Sequence, residues 1–208
     1  QTPLESCDKL PTNAKEIQDC REGVFNVLAD WQVIQAFGLT FDFQNPFDLC
    51  EKVDSKWRKA CYYELGMKLE PVIGDSPQKA AEYVMDIQDR DIRTMTFGVM
   101  VAGMMQRRAP LDEFDVIIQE CMQISDLDLF EHCVVSSANG MMEHGSPGQE
   151  YKKVVSLCAT EGLENRSGTR LCYTALARRL SRFYTQDKKM SICEEFPQEY
   201  RETCKAES

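Results

Sequence analysis

Residues 50–66 read CEKVDSKWRKACYYELG, with two cysteines eleven positions apart on either side of Asp54 and Ser55. In one continuous helix, sulfurs at this separation would lie about 16 Å apart along the axis. A disulfide needs Cα atoms within about 7 Å of each other. Asp and Ser favour turns and helix caps. If Cys50 and Cys61 are bonded, the chain reverses between them, and the segment is predicted to be a disulfide-clamped helical hairpin.

The same spacing recurs along the chain. First cysteines of successive pairs lie 43, 71, 37 and 35 residues apart, and 71 is close to twice 36. One unit near residues 85–97 has therefore lost its pair, with Met85 at the first position and Met95 or Thr96 at the second. A fixed period in this range indicates a stacked repeat, here six units of about 36 residues. The predicted bridges are Cys7 to Cys20, Cys50 to Cys61, Cys121 to Cys133, Cys158 to Cys172 and Cys193 to Cys204.

The segments beside the predicted turns have helical periodicity. Apolar residues recur at intervals of three and four in residues 80–85 and 114–121, and no alternating strand pattern of useful length competes. Proline after a capping residue predicts helix starts at Pro46, Pro77 and Pro147, and Gly74 and Gly145 predict helix ends. We therefore predict one all-α domain over residues 1–208, built from tandem hairpins with five local disulfides. The hairpins form a short α-solenoid or, alternatively, a compact helical array.

The unit without cysteines contains the most apolar run of the protein. Residues 97–105 read FGVMVAGMM, in which small residues allow neighbouring helices to approach closely. Losing a bridge over about 12 residues costs on the order of 3 kcal/mol in the chain-entropy model, so this unit needs another source of stability. We predict that its second helix is central and that residues 99–104 are buried.

Residues 50–66 and, less closely, 158–177 resemble the Cys-clamped helical-hairpin repeats of exported prokaryotic proteins. Their period is similar to that of tetratricopeptide and Sel1-like arrays. The resemblance covers nearly the whole chain, although most tetratricopeptide marker positions differ. It implies a scaffold for binding proteins or peptides and carries over no catalytic residue.

Composition limits the compartment and the partners. Ten cysteines indicate an oxidising location, so we expect secretion to the extracellular space, a periplasm or the secretory lumen. The chain begins with Gln1, which fits a mature chain whose signal peptide has been removed. No run of residues is apolar enough for a membrane span. The net charge of -10 argues against nucleic acid as a partner.

The sequence predicts no catalytic residue, no metal site and no cofactor. The usual C-x2-C zinc spacing is absent, and neither His132 nor His144 belongs to a catalytic motif. The acids Asp86, Asp89 and Asp91 lack the glycine and glutamate that complete a calcium loop. Two alternatives stay open. One is an all-α secreted hydrolase that uses a carboxylate pair such as Glu194 and Glu195. The other is a small-molecule or metal carrier centred on the methionines Met100, Met104, Met105, Met141 and Met142.

Charge is distributed unevenly. Residues 109–133 carry a net charge of -7, whereas residues 166–189 carry +6. Such asymmetry steers a charged partner or makes copies associate, unless the charges only complement one another between adjacent units. We therefore predict a secreted, non-catalytic protein-binding or assembly scaffold. Its partner is a protein, a peptide or a second copy, and its binding residues are Arg178, Arg179, Arg182, Lys188 and Lys189.

Overall fold

The computed structural model describes residues 3–28, 30, 42 and 44–207. These residues form thirteen α-helices and no strand, so the predicted all-α class is confirmed. The helices are α1 (Pro3–Cys7), α2 (Ala14–Leu28), α3 (Asp48–Glu51), α4 (Ser55–Met67), α5 (Glu70–Ile73), α6 (Pro77–Val84), α7 (Arg90–Arg108), α8 (Asp115–Gln123), α9 (Leu127–His144), α10 (Glu150–Cys158), α11 (Gly168–Phe183), α12 (Gln186–Cys193) and α13 (Gln198–Ala206). Within the described part of the chain, no helix is long and apolar enough to cross a bilayer.

In the described ranges, six helical hairpins each join a shorter helix to a longer one. The pairs are α1 with α2, α3 with α4, α6 with α7, α8 with α9, α10 with α11, and α12 with α13. All but the α6–α7 hairpin contain a disulfide, and the cysteines are joined in the five local pairs that their spacing predicts. The Cα atoms of the two cysteines in each bridge lie 5.3 to 5.7 Å apart. These bridges fit an oxidising location.

Aspartates cap the longer helices at the predicted turns. Three aspartates accept hydrogen bonds from backbone N–H groups at helix starts. They are Asp54 at α4, Asp89 at α7 and Asp126 at α9. These N–H groups have no partner within the helix, so the caps fix where each longer helix begins.

Two of the three predicted proline starts are displaced. Helix α6 begins at Pro77 with Ser76 as its cap, as predicted. Helix α3 begins at Asp48, two residues after Pro46, and α10 begins only at Glu150. Between Pro147 and α10, Gly148 has a φ of 77°, a left-handed conformation that interrupts a right-handed helix.

The longer helices contact one another in chain order. Helix α2 contacts α4, α4 contacts α7, α7 contacts α9, α9 contacts α11, and α11 contacts α13. Helix α7 also contacts α5 and α6, so its predicted central position is confirmed. Met100, Val101, Gly103 and Met104 are buried, whereas Val99 and Ala102 are half-buried and correct the prediction of complete burial over 99–104. The stacked repeat itself stays a prediction.

The α6–α7 hairpin, which lacks a disulfide, is crosslinked by ion pairs. Asp75, just before α6, accepts hydrogen bonds from Arg107 and Arg108 at the end of α7, with N to O distances of 2.7 Å to both carboxylate oxygens. Partial burial raises the pKa of Asp75, but these hydrogen bonds outweigh it and hold the pKa below 3.8. The carboxylate therefore stays ionised near neutral pH and crosslinks the two helices.

Gly140 allows α9 to approach α7 closely, and replacing it with alanine should destabilise the protein. A Cβ atom at Gly140 would lie 2.5 Å from the Cβ of Met105, so one backbone must move. Overpacking of this kind costs about 1 to 3 kcal/mol, more than the gain in helix propensity. Urea unfolding followed by circular dichroism should show this loss.

Gly23→Ala provides the matched control, because a Cβ at Gly23 in α2 meets no atom within 4 Å. This variant should be as stable as the original chain or slightly more stable. Equal stabilities of the two alanine variants would contradict the close approach of α7 and α9.

Candidate functional site

A groove of about 470 Å³ runs between α9 and α11. Val135 and Asn139 of α9 form one wall, and the other wall comes from α11 and from Glu207, the residue after α13. The residues contributed by α11 are Arg170, Leu171, Thr174, Ala175, Arg178, Arg179 and Arg182. Three of the ten lining residues, Val135, Leu171 and Ala175, are apolar, and the other seven are polar or charged.

The spacing of residues along α11 places its arginines on this groove. Arg170, Thr174, Arg178 and Arg182 follow one another at intervals of four, which places them in one row along the helix. Leu171, Ala175 and Arg179 form the adjacent row and face α9. With a rise of 1.5 Å per residue, the stripe from Arg170 to Arg182 is about 18 Å long.

The arginines of this groove differ from the others in their pairing. Ten of the twelve arginines donate a side-chain hydrogen bond within the described residues. The remaining two, Arg170 and Arg182, have neither such a bond nor an ion pair there, and both lie exposed on the stripe. Two guanidinium groups are therefore available to a ligand on one side of the groove.

Helix electrostatics do not account for Arg170. It lies in the first turn of α11, where the unsatisfied N–H groups carry partial positive charge. A cation there is unfavourable by about 0.3 to 1 kcal/mol. Arg182, in the last turn, complements the helix dipole. Arg170 therefore gains no stabilisation from the dipole of α11.

The predicted residues Arg178 and Arg179 both line the groove, but they differ in availability. The Arg178 side chain is 67% exposed and its Nε lies 3.2 Å from the Glu207 carboxylate. The Arg179 side chain is 21% exposed, with Nε 2.9 Å from Asn139 Oδ1 and Nη1 2.7 Å from Glu143 Oε1. Arg179 therefore crosslinks α11 to α9 and fixes the groove wall.

The predicted lysines lie outside the groove. Lys188 is exposed, with its Nζ 5.7 Å from the centre of the Tyr151 ring. Lys189 is buried, and its Nζ donates a hydrogen bond to the carbonyl oxygen of Glu207. The structure corrects the assignment of Lys189 to an exposed binding face, because a long side chain on a short helix can fold inward and become covered by a neighbouring segment.

Sequence reasoning did not select Arg170 or Glu207 as site residues. The spacing of Arg170, Arg178 and Arg182 at eight and four residues was a usable signal, since multiples of four place the three cations in one row along a helix. Nothing local indicates Glu207, which is 29 residues away from Arg178 along the chain.

The acids predicted to balance these cations are paired with other residues. Asp112 pairs with Lys153, Glu113 with Arg108 and Asp128 with Arg90. The Arg90 hydrogen bonds hold the pKa of Asp128 below 3.8, so this carboxylate remains charged. Three of the seven acids in residues 109–133 therefore form ion pairs with cations outside residues 166–189, so these pairs do not join the two charged stretches to each other as the alternative interpretation predicted.

A larger cavity of about 1160 Å³ lies beside α3, α6 and the start of α7. Its walls carry the acids Asp48, Glu51, Glu82 and Asp86 together with Arg58 and Lys79. Tyr62 donates a hydrogen bond to Glu51 in this wall, and burial together with that bond raises the pKa of Tyr62. The rim residues Asp42 and Gln44 adjoin residues outside the described ranges, so we place the candidate site in the α9–α11 groove.

The two carboxylates named for a hydrolase, Glu194 and Glu195, are each engaged in other contacts. Glu194 pairs with Lys205 and Arg201, and Glu195 accepts a hydrogen bond from the Tyr151 hydroxyl. The Lys205 hydrogen bond holds the pKa of Glu194 below 4.5, which is opposite to the shift that a general acid needs. Asp89, one of the calcium-loop candidates, caps α7.

The methionine-rich centre is packed. Met100, Met104 and Met141 are at most 2% exposed, and they belong to the hydrophobic core together with Met105 and Met142. Among the described residues, no group of three or more His, Cys, Asp and Glu side chains is placed to hold a metal ion.

Comparison with known proteins gives no relative. No protein-family model, curated protein or solved structure matches the chain.

Proposed function

We propose that this protein is a secreted, non-catalytic scaffold that binds an acidic segment of a partner protein in the α9–α11 groove. The observation that carries the proposal is the pairing of the arginines. Arg170 and Arg182 alone lack a side-chain hydrogen bond or ion pair among the described residues, and both lie on the same exposed stripe. Guanidinium groups bind carboxylates through paired, charge-assisted hydrogen bonds.

The frame around the groove favours rigid display. The Cys158 to Cys172 bridge anchors α11 in its second turn, and the Cys193 to Cys204 bridge closes the hairpin that packs beside it. The successive contacts of the longer helices support a short α-solenoid as the architecture. A groove that is already ordered loses less conformational entropy when a partner binds.

A different protein suits this groove better than a second copy. Of the seven carboxylates in the most acidic stretch, residues 109–133, five are already paired: three with Arg90, Arg108 and Lys153, one with the Ser76 hydroxyl, and one with the backbone N–H of Leu129. A second copy would have to break those pairs to place the carboxylates in the groove. An acidic segment of another protein has no such cost.

The test is charge reversal of the two unpaired arginines. We expect Arg170→Glu with Arg182→Glu to weaken binding of a labelled hexaglutamate peptide by at least about ten-fold, because two attractive contacts become repulsive. Fluorescence anisotropy at several salt concentrations measures this affinity. Binding to the original chain should weaken as salt rises, because the contacts are exposed to solvent.

Lys15→Glu with Lys59→Glu provides the matched control. Both lysines are exposed, lie on α2 and α4, have no ion pair within the described part, and change the net charge by the same amount. This control should bind the peptide nearly as well as the original chain. Equal weakening in both double variants would show that net charge and not the groove determines binding, and would refute the proposal.

A further inference from the structure

Glu207 places a carboxylate of the chain itself in the arginine groove. Its Oε2 lies 3.2 Å from Nε of Arg178, and its side chain is 25% exposed against 67% for that of Arg178. Arg178 lies between Arg170 and Arg182 in the stripe, so the carboxylate takes the middle of three cationic positions.

The backbone of Glu207 is held by contacts that do not involve its carboxylate. Its N–H donates to the Thr203 carbonyl at 3.1 Å, and its own carbonyl accepts from the buried Lys189 and from the Ser181 hydroxyl. A buried ammonium group needs such an acceptor, since burying a charge without a partner is costly. The anchored backbone thus keeps the side chain near Arg178, and the carboxylate is free to leave without moving the main chain.

We infer that Glu207 is a built-in competitor of the ligand, and that the ligand presents its own carboxylate to Arg178 when it binds. This inference rests on the proposed function and specifies the ligand class further. A ligand that engages all three arginines carries at least three carboxylates over about 18 Å, the length of the stripe. An extended acidic peptide of about six residues spans that distance.

Glu207→Gln tests the competition, because it removes the charge and leaves the backbone contacts in place. We expect this variant to bind the labelled hexaglutamate peptide about 1.5-fold to five-fold more tightly than the original chain, the range expected for losing one exposed ion pair. Glu202→Gln on α13 is the control. Glu202 is 87% exposed, pairs only with Lys205 in the described residues and lies outside the groove lining, so its variant should bind like the original chain.

The outcomes separate the two proposals. If charge reversal at Arg170 and Arg182 abolishes binding but Glu207→Gln binds like the original chain, the groove is the site and the competition is refuted. Equal gains from Glu207→Gln and Glu202→Gln also refute it, since they report net charge alone. If neither the original chain nor Glu207→Gln binds hexaglutamate, or if an oligothymidylate binds more tightly, both proposals fail.

Discussion

Met100→Asp is expected to lower the melting temperature by at least about 10 °C, the largest effect of any single substitution considered for this chain. Met100 is 2% exposed in α7, the helix with contacts to α4, α6 and α9. Truncating a buried methionine costs about 2 to 5 kcal/mol, and a carboxylate must in addition be desolvated or protonated. One kcal/mol corresponds to about 2 to 4 °C in a protein of this size. Thermal unfolding followed by circular dichroism measures the shift.

Met85→Asp makes the same chemical change in the same hairpin, at a side chain that is 47% exposed. It should cost no more than about 1 kcal/mol, most of it from placing a negative charge at the end of α6. Met100→Leu should also be tolerated, because it conserves volume. A melting temperature for Met100→Asp within 2 °C of the original chain would contradict the central position of α7.

The hairpins could be predicted from the sequence because their determinants are local. A separation of 11 to 14 residues between bonded cysteines specifies a turn before any tertiary contact is known, and in two of the five bridged hairpins an aspartate cap marks that turn. The burial of α7 was predictable for a similar reason, since its apolar run is longer than one helix face. These signals depend on spacing and composition alone.

The structure differs from the sequence-based predictions at positions where a contact between distant residues or a single backbone angle determines the conformation. The proline rule predicts a helix start at Pro147, but the left-handed conformation of Gly148 delays α10 to Glu150. Val99 is half-buried instead of buried, although its Cγ2 packs beside Gly66 of α4. Periodicity gives the buried face of a helix, but not how far each neighbour covers it.

The candidate site was predicted in part. Arg178, Arg179 and Arg182 line one groove, although only the structure distinguishes the crosslinking Arg179 from the exposed Arg182. Lys189 is buried by the segment after α13, a contact between residues 18 positions apart. Charge counting along the chain cannot separate an exposed lysine from one that has turned inward.

Removing the Cys121 to Cys133 bridge by double alanine substitution should cost about 3 to 5 kcal/mol. The chain-entropy model gives about 3 kcal/mol for a loop of this length. Both cysteines are fully buried in the hairpin of α8 and α9, so lost packing adds to the loss of the crosslink. Urea unfolding should show a lower midpoint with a single transition.

The bridge between Cys7 and Cys20 offers a comparison that distinguishes a stacked repeat from a compact array. Its cysteines are 13 residues apart, and those of the Cys121 to Cys133 bridge are 12 apart. The chain-entropy model therefore assigns the two crosslinks nearly the same stabilisation. In a stack, each unit is stabilised by its neighbours. Among the described residues, α2 contacts α4 more extensively than any later helix. Double alanine substitution there should fray the first hairpin, visible as faster amide exchange in α1 and α2, and shift the main urea transition by less than about 1 kcal/mol. Equal shifts for the two double variants would mean that all hairpins unfold as one cooperative core, and the solenoid would have to be abandoned in favour of the compact array.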